Sequence, residues 1–115
     1  MNIAIIGSGP TGSLAAISLA SIGCRIDLYE RLSDDTLINK NRAYAITHSS
    51  RRLLIKCKLW DDLFSDFVPF QHLNIVDYDL NNLVRFELCD LTKKNYEYRS
   101  LGWIVDHNKL MSNFL

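Results

Sequence analysis

Asn2-Ile3-Ala4-Ile5-Ile6-Gly7-Ser8-Gly9-Pro10-Thr11-Gly12, an Ala-rich run, then Arg25-Ile26-Asp27-Leu28-Tyr29-Glu30: these thirty residues settle the architecture. They read as strand, glycine turn, helix, strand, acid. Ile3–Ile6 is a continuous apolar run, as expected of a parallel strand covered on both faces. Each glycine has its own task. Gly7 permits the tight turn out of the strand, Gly9 lets a pyrophosphate approach the backbone, and Gly12 lets the helix pack closely against the sheet. The helix start offers unpaired N–H groups and a positive dipole end to an anion. Ala15 and Ala16 keep the helix slim, and Gly23 stands where a glycine ends it. Glu30 closes the second strand eighteen residues after Gly12. A carboxylate there suits both hydroxyls of an adenosine ribose and repels a 2′-phosphate. The unit is a dinucleotide-binding βαβ.

The rest of the composition narrows the class. At 115 residues the chain is one domain at most, and its formal net charge of zero argues against a general polyanion binder such as a nucleic-acid protein. Cys24, Cys57 and Cys89 are odd in number and lack CxxC spacing, so they read as reduced thiols in a cytosol-like compartment rather than a metal site. The apolar run Leu14–Ile22 is too short to span a bilayer. The start lacks a basic region and its apolar residues are used by the βαβ unit, which argues against a signal peptide.

Further along, Leu32–Asn41 reads as a polar surface loop and Arg42–Ile46 as an extended stretch. Thr47, His48 or Ser49 caps a helix running to about Leu59, with Leu53, Leu54, Cys57 and Trp60 inward and Arg51, Arg52, Lys56 and Lys58 outward. Asp61–Pro69 is a connection with one helical turn. Alternation predicts an antiparallel hairpin from Leu73–Asp79 and Leu83–Cys89. Thr92–Arg99 reads as a loop, Trp103–Val105 as extended, and Asn108–Leu115 as a helix. His48, His72 and His107 do not converge in sequence, and Lys93-Lys94 is too short for a nucleic-acid patch.

In this order the features resemble the N-terminal third of the class A FAD-dependent aromatic monooxygenases, with the nearest likeness to the ubiquinone-biosynthesis hydroxylases. The resemblance rests on the GxGPxG turn Gly7–Gly12, the acid-base pair Glu30-Arg31, Arg-x-x-Ala at Arg42–Ala45, Leu-Trp-Asp-Asp-Leu at Leu59–Leu63, and Leu-Gly-Trp-Ile-Val-Asp at Leu101–Asp106. It implies an α/β fold, the N-terminal part of a Rossmann-like FAD-binding domain of the GR2 type, carrying a β-hairpin and incomplete. It implies that Gly7, Gly9, Pro10, Thr11 and Gly12 cradle the FAD pyrophosphate and that Glu30 holds the adenosine ribose. Arg31 follows it in the motif, although on its own it reads as a surface residue. Arg42 would reach the flavin side of the cofactor and Trp103 would stand near the flavin. In that family NAD(P)H is the co-substrate and an electron-rich aromatic ring is hydroxylated. No catalytic acid, base or nucleophile is expected here.

The chain departs from the family pattern in lacking an Asp-Gly motif, a later Gly-Asp motif and a substrate domain. The expectation is therefore residues 1–115 as a partial FAD-binding domain, a truncated or split hydroxylase fragment inactive alone. A complementing chain would supply the remaining flavin and substrate domains. Its location would be cytoplasmic or peripheral to the inner membrane. Two alternatives stand beside it: a small autonomous adenine-dinucleotide-binding module, and a degenerate product without a biochemical role.

Overall fold

The computed structural model describes all residues from Met1 to Leu115. The opening unit folds as read. β1 (Asn2–Ile6) leads through Gly7–Gly9 into α1 (Pro10–Ser21), and β2 (Arg25–Tyr29) returns parallel to β1, with Ile3 opposite Ile26 and Ile5 opposite Leu28. Pro10 occupies the first turn of α1, where its missing N–H costs nothing. Gly23 ends the helix with φ +93°, and the Gly23 and Cys24 N–H groups bond back to Ala20 and Leu19. One expectation fails: β1 is covered on one face only. Ile3 and Ile5 are half-buried, while Ala4 is exposed and Ile6 is 89 % exposed. The sheet has two strands, and nothing packs on its second face.

After β2 the chain departs from the expected surface loop. Ser33 caps a short α2 (Asp34–Ile38) by accepting the Thr36 N–H, and Leu37 of that helix is buried. β3 (Ala43–Ile46) precedes α3 (His48–Lys56), whose cap is Thr47, accepting from the Ser50 N–H at 3.2 Å. α3 is shorter than expected, because Cys57 and Lys58 close it with Lys58 at φ +59°. The expected connection carries α4 (Trp60–Leu63), a 3₁₀ turn (Phe64–Asp66) and an unexpected strand, β4 (Val68–Phe70).

β5 (Leu73–Asp77) and β6 (Asn82–Phe86) form the expected antiparallel hairpin, with Leu73 opposite Phe86 and Ile75 opposite Val84. Each strand is two residues shorter than read. The predicted loop that follows contains a 3₁₀ turn (Leu88–Asp90) and α5 (Lys93–Tyr96), capped by Thr92. β7 (Gly102–Asp106) runs directly into α6 (His107–Phe114).

The core lies away from the βαβ unit. β7 pairs antiparallel with β3 on one side and β4 on the other. Trp103 and Val105 of β7 meet Leu54, Trp60, Leu63, Phe67 and Leu110 in one buried cluster. α6 joins the two halves, touching α1, α2 and α4. Buried His107 anchors that junction: its Nε2 bonds the Leu37 carbonyl at 2.6 Å and its Nδ1 meets the Tyr44 hydroxyl at 2.8 Å. No helix is long and apolar enough to cross a membrane.

Candidate FAD half-site

The glycine turn is built around one close approach. A Cβ on Gly12 would overlap the Gly7 carbonyl oxygen and crowd its carbonyl carbon. The first turn of α1 therefore sits directly on the strand end, as expected for the third glycine. Gly7 holds φ +100°, in the left-handed region that favours glycine, and its N–H donates to the Tyr29 carbonyl at 2.7 Å. Gly9 is the opposite case: the space where its Cβ would stand is open. Ser13 N–H donates to the Gly9 carbonyl, and Ser13 Oγ–H donates to the Ser8 carbonyl at 2.8 Å, which pins the turn from below.

The N–H groups of Gly9, Thr11 and Gly12 have no protein acceptor. They crown the positive end of a twelve-residue helix beside an open approach at Gly9. That donor set fits a pyrophosphate, by hydrogen bonding and by the helix dipole together.

Glu30 does something the sequence did not disclose. Its Oε2 accepts the Ser8 N–H at 2.8 Å and the Ser8 hydroxyl at 3.3 Å, and its Oε1 accepts the Arg31 and Leu32 N–H groups at 2.8 and 3.1 Å. The carboxylate thus ties the end of β2 to the glycine turn. The Ser8 N–H foremost, then the Leu32 and Arg31 N–H groups and the Ser8 hydroxyl, hold its pKa at about 2, below an ordinary 4.5. It stays ionised at any physiological pH. The hydroxyl contact is the longest of the four, so it is the one that a further hydroxyl donor would displace most readily.

The other expected site residues lie apart. Arg31 is exposed, and only its backbone N–H enters the Glu30 arrangement. Arg42 is exposed just before β3, on the rim of a wholly polar cavity of about 470 Å³ that includes Lys40, Asp106 and Lys109. No side-chain contact joins it to the glycine turn. Trp103 does not face a ligand site. It is 3 % exposed, with its ring 4.9 Å from Trp60 and 5.1 Å from His48, because β7 is the central strand of its sheet. A second cavity, about 580 Å³ and mostly apolar, runs from Pro10 and Thr11 between α1, β3, α3 and α6.

A family model described as an FAD binding domain matches residues 1–94. The chain belongs to this family. FAD is thus the cofactor its fold serves. Among its relatives, a Synechocystis protein (slr1300, uncharacterized) is 27 % identical over 106 residues, covering 92 % of this chain and 24 % of its own. The ubiquinone hydroxylase UbiM of Neisseria meningitidis is 34 % identical over 88 residues, covering 70 % of this chain and 19 % of its own. The crystal structure of Klebsiella pneumoniae HpxO, complexed with FAD and uric acid, superposes with a TM-score of 0.67 at 20 % identity, over 100 % of this chain and 28 % of that one. The likeness to flavin-dependent monooxygenases read from the motifs therefore holds over the FAD-binding domain. The chain spans about a fifth to a quarter of the length of these curated relatives.

Proposed function

We propose that this chain is the adenosine-and-pyrophosphate half of the FAD site of an aromatic hydroxylase of the ubiquinone-biosynthesis type, and that it is inactive alone. One observation carries the reading. Three unpartnered N–H groups stand at the start of α1, beside an open approach at Gly9, with an ionised Glu30 fixed over the same turn. Gly9, Thr11 and Gly12 would hold the pyrophosphate, with Gly7 and Pro10 shaping the turn, and Glu30 would hold the ribose. Arg42 would supply a cation to the more distant part of the cofactor, and Arg31 would stay in solvent. When bound, FAD supplies the redox chemistry, with NAD(P)H as reductant, and the protein orients it.

The uncovered faces support the fragment reading. The second face of the β1–β2 sheet and the hairpin are both solvent-facing. A complementing polypeptide that supplies the remaining flavin and substrate domains would cover them, as one continuous chain or as a separate one. A cytoplasmic location, or one at the inner membrane's surface, follows from the same assignment.

The test is a thermal-melt titration of the purified chain with FAD, ADP and NAD. Comparable, modest stabilisation by all three is the expected result, since all carry the adenosine and phosphates this half-site recognises. Stabilisation by FAD far beyond ADP would show a flavin pocket within these 115 residues and overturn the half-site reading. No stabilisation by any of them would overturn nucleotide binding by this chain.

A further inference from the structure

α3 and α5 bring two arginines together without an acid. His48 Nε2 bonds the Ser100 carbonyl at 2.6 Å; the carbonyl can only accept, so the ring proton is on Nε2 and Nδ1 is left as an acceptor. Arg51 Nε–H donates to that Nδ1 at 3.3 Å, and Arg51 Nη2–H donates to Asn95 Oδ1, also at 3.3 Å. The guanidinium carbon lies 3.9 Å from the centre of the Tyr98 ring. Arg52 Nη1–H donates to the same Asn95 oxygen at 3.1 Å, and its Nη2–H donates to Ser49 Oγ at 3.2 Å. Two guanidinium groups thus converge on one neutral amide oxygen. Neither makes an ion pair; the chain's one ion pair joins Lys109 to Asp66.

Arg51 is only 4 % exposed. Burying a cation without a counter-charge is costly, and the face of Tyr98 offsets that only in part. Yet its donors are not all used. Nη1 has no acceptor, and it is not sealed inside, because every fully buried side-chain nitrogen has a partner. Arg52 Nε is likewise unbonded. Lys93 and Lys94, on α5 immediately before Asn95, add charge of the same sign, and Glu97 at the end of α5 adds one opposite charge without pairing with either arginine. Adjacent forks with spare donors and no carboxylate have the chemistry of an oxyanion receptor.

We infer that Arg51 and Arg52, converging on Asn95, form a binding site for a phosphate dianion. A dianion neutralises both guanidinium groups, whereas a carboxylate neutralises one. The site shares no residue with the glycine turn and is independent of the FAD half-site. Inorganic phosphate and the phosphomonoester end of a larger molecule present the same group.

The experiment is a titration of the full chain followed by ¹H–¹⁵N spectra, with inorganic phosphate, phenyl phosphate or acetate at matched ionic strength. Saturable shifts of the arginine Nε–H signals and the Asn95 side-chain amide with both phosphates, and none with acetate, are expected. Tighter binding of phenyl phosphate would assign the site to a phosphomonoester, and equal binding to free phosphate. Arg52→Gln, an exposed position, weakens phosphate binding about tenfold, and Arg52→Lys, which keeps the charge but loses the fork, by less. Acetate matching phosphate, shifts confined to Gly9, Thr11 and Gly12, or shifts that never saturate would each overturn the proposal.

Discussion

Gly9 and Gly12 are chemically identical and do opposite jobs, which makes them a matched pair for mutation. Gly12→Ala forces a methyl group into the Gly7 carbonyl and destabilises the fold by about 2–3 kcal/mol, read from chemical denaturation. Gly9→Ala meets open space, so stability changes by less than about 0.5 kcal/mol while FAD-dependent stabilisation is lost. Glu30 supplies a pH signature. Its pKa is depressed from 4.5 to about 2 in the folded state, so its contribution is complete above about pH 4.5 and is lost as the pH falls through about 2. A melting-temperature profile of Glu30→Gln over that window will lack this part of the acid destabilisation. Removing the Tyr44 hydroxyl (Tyr44→Phe) leaves the buried His107 Nδ1 without its partner and costs about 1–3 kcal/mol, measured in the same denaturation experiment.

The elements legible in advance were those with local signals. The β1–α1–β2 unit is readable because Gly7, Gly12 and Gly23 fix its turns locally, without help from distant parts of the chain. The hairpin is readable because Leu73 and Ile75 flank Asn74 and Val84 and Phe86 flank Arg85, an alternation that Val76 and Leu83 interrupt only at the turn end. α2 is not, since five residues, Asp34-Asp35-Thr36-Leu37-Ile38, are too few to show a helical period and become a helix only through the Ser33 cap and the burial of Leu37. β4 was not, because Val68-Pro69-Phe70 has no periodicity and is a strand only by pairing with β7. Charge alone puts Arg51 on the outer face of α3. α3 in fact buries His48, Arg51 and Leu54, a spacing of three, because Tyr98 and Asn95 return from far along the sequence to receive the guanidinium. The candidate site divides in the same way. The glycines and the acid were visible as a motif, whereas Ser8 as the partner of Glu30 was not, since a serine between two glycines carries no signal of what it will bond.

Taken together, the molecule is one hydrophobic core around β7 with the βαβ unit joined to it through α6. The hairpin stands clear of that core, and its Leu73, Ile75, Val84 and Phe86 share one apolar, solvent-facing side. Such a patch promotes association. Val84→Lys will reduce concentration-dependent self-association in sedimentation velocity and leave the melting temperature unchanged, because the side chain packs on nothing else. The same arrangement has a consequence for how the chain is made. β3 has no neighbour until β7 exists, and the pairing of Ala43 with Asp106 spans most of the second half of the sequence. At typical rates of synthesis that separation takes roughly 3–12 s to be translated. The βαβ unit is complete within the first thirty residues and can close at once. During the interval Tyr44, Ile46 and Leu54 emerge without the strand they will pack beside, so the nascent chain carries a closed βαβ unit tethered to an unsatisfied apolar segment.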